Sequence, residues 1–304
     1  MSVMRKNKNR IRLDWSGYMF ILPAMLILML FLIYPIVWAF IVSFKEIKPL
    51  ELKNSGLFEI PGEFVGLSQY IEVFQNELFI KALFNTAYFG LIYIPITLMA
   101  AALLAVLLTQ KIPGVNFFRT VLFIPYIISV VSASLIFLFI FNGEQGMINA
   151  VLMKFSIDGP NWLSNSLLAM PVIAVMSAWK KVGYFMLIYL AGLQNIPQSL
   201  YEAADIDGAN AFQRFWLITW PMLSRITLVV SVLLMIDTLN VFQEIFVMTG
   251  GGPGDSTTTV PFLIYNEAFK YYRIGSASAM SYILFIIVII VTVIQKRAVD
   301  KRLG

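Results

Sequence analysis

PQSLYEAADIDGANAFQRFWLITWPML, residues 197–223, is a charge-bearing break between two membrane-length apolar segments. Ser199 followed by Glu202 predicts a capping box, in which the two side chains satisfy free N–H groups in the first turn of a short helix. Gly208 is predicted to end that helix, because glycine adopts the left-handed conformation without steric cost. Aromatic residues spaced i, i+3 and i+4 from Phe212 predict a second amphipathic turn. We therefore expect a helix–glycine–helix elbow in water beside a bilayer.

The composition of the whole chain is typical of a membrane protein. Of 304 residues, 59% are apolar and 13% are charged, and the mean hydropathy is +0.80. These values lie outside ordinary globular usage. The absence of histidine and cysteine excludes disulfides, thiol catalysis and the usual zinc sites. The net charge of +5 is attributed to basic residues flanking the membrane segments, so no nucleic-acid partner is predicted.

Apolar segments long enough to cross a bilayer, which takes about 20 residues, predict an all-α polytopic membrane protein with six transmembrane helices. They lie within residues 15–44, 82–109, 120–142, 166–193, 226–249 and 274–295. The first follows a basic tail and resembles a signal peptide only superficially. Its uncharged run is too long for a signal sequence, and no small-residue cleavage site closes it. We therefore expect it to remain as a transmembrane helix.

The distribution of basic residues predicts the orientation. Placing the N-terminus inside gives the cytoplasmic segments most of the lysines and arginines, which favours cytoplasmic N- and C-termini and puts the elbow on the same side. The inner set is Arg5, Lys6, Lys8, Arg10, Arg12, Lys111, Arg119, Arg214, Arg225, Lys296, Arg297, Lys301 and Arg302, and the outer set is Lys45, Lys48, Lys53, Lys81, Lys154, Lys270 and Arg273. The predicted parts are a cytoplasmic tail (1–14), a first helix (15–44), an extracytoplasmic loop (45–81), a five-helix core (82–295) and a second cytoplasmic tail (296–304).

Charged residues inside the predicted spans form a candidate site. A charge at the centre of a span costs about 2.5–3.5 kcal/mol on insertion scales. Asp237, Asn240 and Glu244 are spaced i, i+3 and i+7, which places them on one helix face and indicates a water-filled substrate path. Alternatively, these side chains form hydrogen bonds between helices, or they pair with Lys180 and Lys181 of the fourth span. The more specific prediction is an ion pair between Lys180 and Asp237. The two lysines can also mark a broken helix that reaches interfacial water.

The glycine run 250–254 does not form a nucleotide-binding loop. A P-loop needs a lysine beside Ser or Thr after the glycines and a strand before them, whereas Asp255 follows here and a predicted membrane helix precedes. We expect a chain reversal at the outer surface. The apolar residues after it, from Phe262 to Phe269, predict an amphipathic helix lying in the membrane interface.

A longer motif carries a family resemblance. Residues 202–209, EAADIDGA, are followed by Ile218 and Pro221, and they stand between AGLQ at 191–194 and MTGGGP at 248–253. Together these residues resemble the EAA-loop region of permease subunits from binding-protein-dependent ABC importers, in the sugar branch. The resemblance covers about 82–295 and implies the type I importer permease fold.

In that family the loop couples the permease to a separate ATPase. The resemblance therefore assigns ATPase coupling to Glu202, Ala203, Ala204, Asp207, Gly208 and Ala209. Glu202 would present its carboxylate to a basic residue of the ATPase, or it would serve only to cap its own helix. Ala203, Ala204 and Gly208 would act through their small size, because larger side chains would push the partner away.

The resemblance implies a transporter subunit of a bacterial or archaeal cytoplasmic membrane, and not an enzyme. Its substrate would be a sugar or oligosaccharide. Its partners would be a second homologous permease, two ABC ATPase subunits, an extracytoplasmic solute-binding protein and the lipid bilayer. ATP and magnesium would be bound by the ATPases, and this chain would bind no cofactor.

Other functions remain open at this level. Within the importer class, the solute is alternatively another small polar molecule such as a glycerol phosphate. An ion-coupled secondary transporter or a channel would have only Asp237 and Glu244 as ion-coupling candidates. A membrane-embedded enzyme is weaker, because a chain without histidine or cysteine offers little catalytic chemistry.

Overall fold

The computed structural model describes residues 15–48, 50–51, 56, 59–109 and 113–303, with backbone alone at 15–17 and 298–303. The predicted basic tail 1–14, Lys53 and Lys111 lie outside the described residues. Within them, helices dominate, as the sequence predicts. A short antiparallel strand pair stands beside them, with Lys45 opposite Phe64.

The helices follow one another with few long loops. They are α1 (Trp15–Leu28), α2 (Tyr34–Val42), α3 (Ser68–Gln75), α4 (Glu77–Leu107), α5 (Val115–Ile127), α6 (Val130–Ile140), α7 (Met147–Lys154), α8 (Ala169–Leu193), α9 (Gln198–Ile206), α10 (Ala211–Arg214), α11 (Trp220–Met222), α12 (Ser224–Leu239), α13 (Gln243–Met248), α14 (Val260–Tyr265) and α15 (Ile274–Leu303). Short π-helical turns lie at Met29–Ile33, Phe215–Thr219 and Asn266–Lys270. The strands are β1 (Lys45–Glu46) and β2 (Glu63–Phe64).

In the described part of the chain, four helical segments are long and apolar enough to cross a membrane on their own. They are Tyr18–Val42, Glu77–Leu107, Ala169–Leu193 and Ile274–Arg297. Two bent pairs, α5 with α6 and Ala211–Met222 with α12, bring the number of spans to six if each pair is one span. That count agrees with the six predicted helices.

The third predicted span, 120–142, is not a straight helix. Its two halves, α5 and α6, meet at 99°, and Ile128 and Ser129 between them have extended backbone. Pro125 lacks the N–H that would bond one turn back, so the last turn of α5 is already weakened where the bend begins.

The core lies where α4, α8 and α12 pack together. Its largest buried side chains include Phe89, Tyr93, Phe185 and Tyr189. A Cβ at Gly183 would lie 1.9 Å from the carbonyl oxygen of Leu122, so only glycine lets α8 approach the backbone of α5 this closely. This crossing fixes the middle of α8 against the bend of the third span.

The segment after the glycine run differs from its prediction. Val260, Phe262 and Leu263 are buried, and α14 packs between α4 and α15 instead of lying in the membrane interface. Asn85 of α4 donates to the carbonyl oxygens of Asp255 and Thr258 at 2.8 and 2.9 Å. The apolar side chains thus find protein partners, and the segment closes the end of the bundle.

Candidate functional site

The first arm of the elbow is α9, and its predicted capping box is wrong. The helix begins at Gln198 after Pro197, with no side-chain hydrogen bond at its cap. Ser199 therefore already has helical backbone and lies two positions past the capping residue, Pro197. The Glu202 carboxylate is not used at the helix start and is exposed.

Gly208 ends α9, as the sequence predicts. Its φ is +72°, in the left-handed region that favours glycine. The N–H of Ala209 donates to the Ala204 carbonyl at 2.9 Å, and the N–H of Gly208 donates to the Asp205 carbonyl at 3.2 Å. These two bonds form a Schellman motif, which satisfies carbonyl groups at the end of the helix.

The capping box of the elbow lies at its second arm, α10. Gln213 N–H donates to Asn210 Oδ1 at 2.9 Å, and Asn210 N–H donates to Gln213 Oε1 at 2.9 Å. The sequence carries the signal for this box, an Asn followed three residues later by a Gln, although the prediction from Ser199 and Glu202 places the box at the first arm.

Two contacts missed by the sequence reasoning join the two arms. Arg214 of α10 forms an ion pair with Asp205 of α9. The Tyr201 hydroxyl lies 2.9 Å from the Thr219 hydroxyl, which belongs to the π-helical turn before α12. The arms are therefore cross-linked by side chains as well as by the Gly208 turn.

The predicted coupling residues do not all face outward. Glu202, Ala203, Asp207 and Gly208 are exposed. Ala204 is 8% exposed and faces the inside of the elbow, so its small size serves packing within this chain. Ile206, which the sequence reasoning did not select, is 87% exposed beside the carboxylates.

A second candidate site lies inside the bundle, and we call it the membrane cavity. It encloses about 150 Å³ between α4, α6, α8, α12 and α13. All four predicted pathway residues line it, namely Lys180, Asp237, Asn240 and Glu244. The structure thus brings together residues that the sequence assigned to two different spans.

Asp237, Asn240 and Glu244 do not lie on one continuous helix, contrary to the prediction. The helix α12 ends at Leu239 and α13 begins at Gln243. Asn240, at the break, donates to the Ile236 carbonyl at 2.8 Å. The break turns the chain at the cavity, and the three side chains still line the same space.

The predicted pair of Lys180 with Asp237 is wrong, because the neighbouring lysine makes it. Lys181 Nζ lies 3.0 Å from Asp237 Oδ2 and 3.2 Å from Oδ1, and the Tyr93 hydroxyl donates to Oδ2 at 3.3 Å. Lys180 Nζ instead donates to the Tyr126 carbonyl at 2.9 Å. That carbonyl belongs to the last turn of α5, where helix carbonyls lack partners and attract cations.

Two further polar groups of the membrane cavity are not paired. Glu244 forms no ion pair within 4.0 Å among the described residues. The Ser177 hydroxyl is buried and has no hydrogen-bond partner among the described residues. Phe89 and Tyr93 add stacked rings, with centroids 5.2 Å apart. The cavity therefore offers aromatic surface together with the oxygen atoms of Ser177 and Glu244, which form no bond to another side chain among the described residues.

Residues 93–304 match the family described as "Binding-protein-dependent transport system inner membrane component". The sn-glycerol-3-phosphate transport system permease protein UgpA of Yersinia pestis is 33% identical, over 95% of this chain and 95% of its own. The arabinooligosaccharides transport system permease protein AraP of Bacillus subtilis (strain 168) is 34% identical, over 92% of this chain and 87% of its own.

The fold is also similar to that of a solved transporter. A chain of a bacterial ABC transporter involved in the import of the acidic polysaccharide alginate superposes with a TM-score of 0.81. The match covers 95% of this chain and 96% of that chain at 22% sequence identity. The six-span architecture, the elbow after the fourth span and these matches lead to one conclusion: this chain belongs to the family of inner membrane components of binding-protein-dependent transport systems.

Proposed function

We propose that this chain is a permease subunit of an ATP-driven importer that carries a neutral sugar or oligosaccharide, delivered by a solute-binding protein. Among its relatives, AraP is named for arabinooligosaccharides and UgpA for sn-glycerol 3-phosphate. The observation that carries the choice between these solutes is the balance of charge in the membrane cavity. Its charged lining residues are two lysines, Lys180 and Lys181, and two acids, Asp237 and Glu244.

The charges in the membrane cavity favour a neutral solute over a phosphate. Asp237 compensates Lys181 directly, and the Lys180 ammonium is held by the Tyr126 carbonyl. Neither Lys180 nor Glu244 forms an ion pair among the described residues. Because the Lys180 ammonium is already bound by a carbonyl, the Glu244 carboxylate is the charge left to meet the solute, and it would repel an anion. Sugar hydroxyls, in contrast, can donate to Glu244 and both donate to and accept from Ser177.

The membrane cavity is smaller than typical ligand pockets. Its volume of about 150 Å³ lies below the range of about 300–1,000 Å³ that is usual for small-molecule sites. A sugar therefore needs a conformation in which α8 and α12 stand further apart. Alternating access would supply this opening through the rocking of packed helices around a fixed site.

The elbow is proposed to drive that opening. Separate ATPase subunits, which bind ATP and magnesium, would dock on the cytoplasmic face at Glu202, Ala203, Ile206, Asp207 and Gly208. Movement of α9 would reach α12 through the arm contacts Asp205–Arg214 and Tyr201–Thr219. At its far end α12 carries Asp237, which is bonded to α8 through Lys181. This chain would transmit force and catalyse no reaction.

Transport assays test the proposal. The assembled complex, containing this chain, a second permease and two ATPases, is reconstituted in proteoliposomes with the solute-binding protein and ATP. We expect neutral oligosaccharide to accumulate, and Glu244→Gln to lower uptake by about tenfold, because charged hydrogen bonds contribute about 1.5–3 kcal/mol. Glu144→Gln, at an exposed position outside the cavity, is the matched control. Uptake without any ATPase, or preferential uptake of sn-glycerol 3-phosphate, would contradict the proposal.

A further inference from the structure

A second polar cavity lies at the end of the bundle opposite the elbow, and we call it the distal cavity. It encloses about 450 Å³ between the β1 segment, α3 and the start of α15. From the elbow, the chain runs along α12 to the loop that contains Asp255, at the far end of the bundle. Asn85, near the start of α4, binds this loop. The distal cavity adjoins that same end, and it shares no lining residue with the membrane cavity.

A glutamine of low exposure lines the distal cavity. Gln69 is 8% exposed and lines the cavity, and its carboxamide has no hydrogen-bond partner in the described part of the chain. It packs against Gly275, whose added Cβ would lie 3.5 Å from Gln69 Nε2 and 2.3 Å from the Lys45 carbonyl oxygen. The Gln69 carboxamide is therefore available to donate to and accept from a ligand in the cavity.

The walls of the distal cavity supply donors and acceptors in balance. Glu46 and Glu72 contribute acceptors, while Lys48 and Arg273 contribute donors. Asn76 uses its Oδ1 to cap α4, accepting from the N–H of Leu78 and Phe79 at 2.9 and 3.4 Å, which leaves its two N–H donors available. Charges of both signs therefore line the cavity, although Arg273 Nη1 also lies 3.9 Å from Glu267 Oε2 outside it.

Two exposed tyrosines stand at the rim, Tyr271 and Tyr272. Tyr272 has a φ of +58°, in a region that large L side chains rarely adopt and that carries a free-energy cost. The backbone conformation holds its ring beside the cavity. Ile47 and Val73 add buried apolar surface to the lining.

This chemistry fits a saccharide better than an ion. A sugar hydroxyl donates and accepts at once, so one saccharide unit can pair with an amide, a carboxylate and an ammonium group, while its C–H faces lie on aromatic rings. A small ion of either sign would meet like charges in these walls, because two acids and two bases line the cavity. A bound metal is disfavoured, because no group of three or more metal-ligating side chains occurs among the described residues. The volume falls in the usual range for ligand sites, about 300–1,000 Å³.

We propose that the distal cavity is a second saccharide-binding site, in which the Gln69 amide hydrogen-bonds a sugar hydroxyl and Tyr272 packs on the sugar ring. This goes beyond the proposed translocation pathway, and the two sites can be tested separately because their residues differ. On the orientation proposed above, the site would face the side from which solute arrives.

Direct binding measurements test the distal site. The full chain in its purified complex is kept in an amphipathic polymer without sugar head groups, and maltotriose, arabinotriose and xylotriose serve as probes in calorimetry. We expect at least one trisaccharide to bind, and Gln69→Met and Tyr272→Asn each to weaken its binding about tenfold, the loss of one buried hydrogen bond or ring contact. Asparagine is chosen at 272 because it tolerates positive φ.

The controls separate this site from the membrane cavity and from folding. Gln75→Met, on the exposed face of α3, should leave binding unchanged. Glu244→Gln should retain the component of the binding that Gln69→Met and Tyr272→Asn weaken. Absence of binding for all three trisaccharides would overturn the inference. So would equal affinities for wild type, Gln69→Met and Tyr272→Asn, and so would a loss of all binding in Glu244→Gln, which would place the saccharide in the membrane cavity alone.

Discussion

Lys181 Nζ lies 3.0 Å from Asp237 Oδ2, and this ion pair joins the middle of α8 to the last turn of α12. Both side chains are about one-third exposed or less, at a position where the helices also border the membrane cavity. The pair therefore connects the fourth span, which leads into the elbow, with the fifth span, which leads out of it.

A double-mutant cycle should detect this pair. Lys181→Met and Asp237→Asn should each destabilise the complex. Together with the double variant, they should give a coupling energy of about 1–2 kcal/mol between the two side chains. The pair is more buried than a surface ion pair but not fully enclosed. The measurement is thermal or denaturant unfolding of the purified complex. Lys180→Met with Asp237→Asn is the control cycle and should show no comparable coupling. Stronger coupling through Lys180 would contradict the observed pairing.

Gly208 should be replaceable only by residues that tolerate its backbone conformation. No atom of the residues that the structure describes lies within 4 Å of a Cβ added there, so the cost among them comes from the φ of +72°. We expect Gly208→Val to destabilise the α9 turn by about 1–2 kcal/mol and to reduce solute-stimulated ATP hydrolysis. Gly208→Asn, which tolerates the left-handed region, should retain more activity. Equal loss in both variants would indicate that side-chain bulk at the docking face decides.

Asn85 should hold the loop between Asp255 and Thr258 against α4. Its amide donates both to the Asp255 and to the Thr258 carbonyl, so Asn85→Ala removes two hydrogen bonds of about 0.5–1.5 kcal/mol each. We expect a lower unfolding temperature and faster proteolysis within residues 249–259. Asn195→Ala, which removes one exposed bond to the Ala191 carbonyl, should change stability much less. An unchanged Asn85→Ala protein would disprove the anchoring role.

Glu267 should make stability depend on pH in a defined direction. Burial raises the pKa of its carboxyl above the ordinary value, and Arg273, with Nη1 3.9 Å from Glu267 Oε2, offsets part of that rise. The folded-state pKa therefore exceeds the unfolded one, so this group stabilises the fold below its unfolded pKa of about 4.3. That stabilisation is lost as pH rises through the folded-state pKa.

Unfolding temperatures of wild type and Glu267→Gln, measured from acidic to neutral pH, test this dependence. The difference between the two proteins should grow in favour of Glu267→Gln as pH rises, because the neutral amide avoids a buried charge. A constant difference across this range would contradict the assignment.

Local rules predicted the elements that depend on neighbours in sequence. Gly208 ends α9 because glycine is the residue that commonly takes the left-handed turn. The predicted start of the same helix is wrong. Pro197 has non-helical backbone and is followed by the first helical residue, Gln198, so the helix begins before Ser199. Asn210 and Gln213 carry the same type of pattern and do form the box.

The pairing of Asp237 and the burial of α14 depend on tertiary packing, which sequence patterns do not reveal. Lys180 and Lys181 are adjacent, so their side chains point about 100° apart around α8, with 3.6 residues per turn. Which of them reaches Asp237 depends on how α8 crosses α5 at Gly183. The burial of α14 likewise depends on α4 and α15, residues distant in sequence, and its own apolar pattern fits a membrane interface equally well.

Site-specific cross-linking at Ile206 tests the central claim, that the elbow transmits force from a separate ATPase into the membrane cavity. The chain has no native cysteine, so Ile206→Cys provides a unique thiol at an exposed position for a short bifunctional reagent in the assembled complex. We predict that Ile206→Cys cross-links to the ATPase subunit, with a yield that changes when ATP is added. A complex that imports solute while Ile206→Cys remains uncross-linked to the ATPase, and reacts instead with impermeant thiol reagents from outside the cell, would contradict the account.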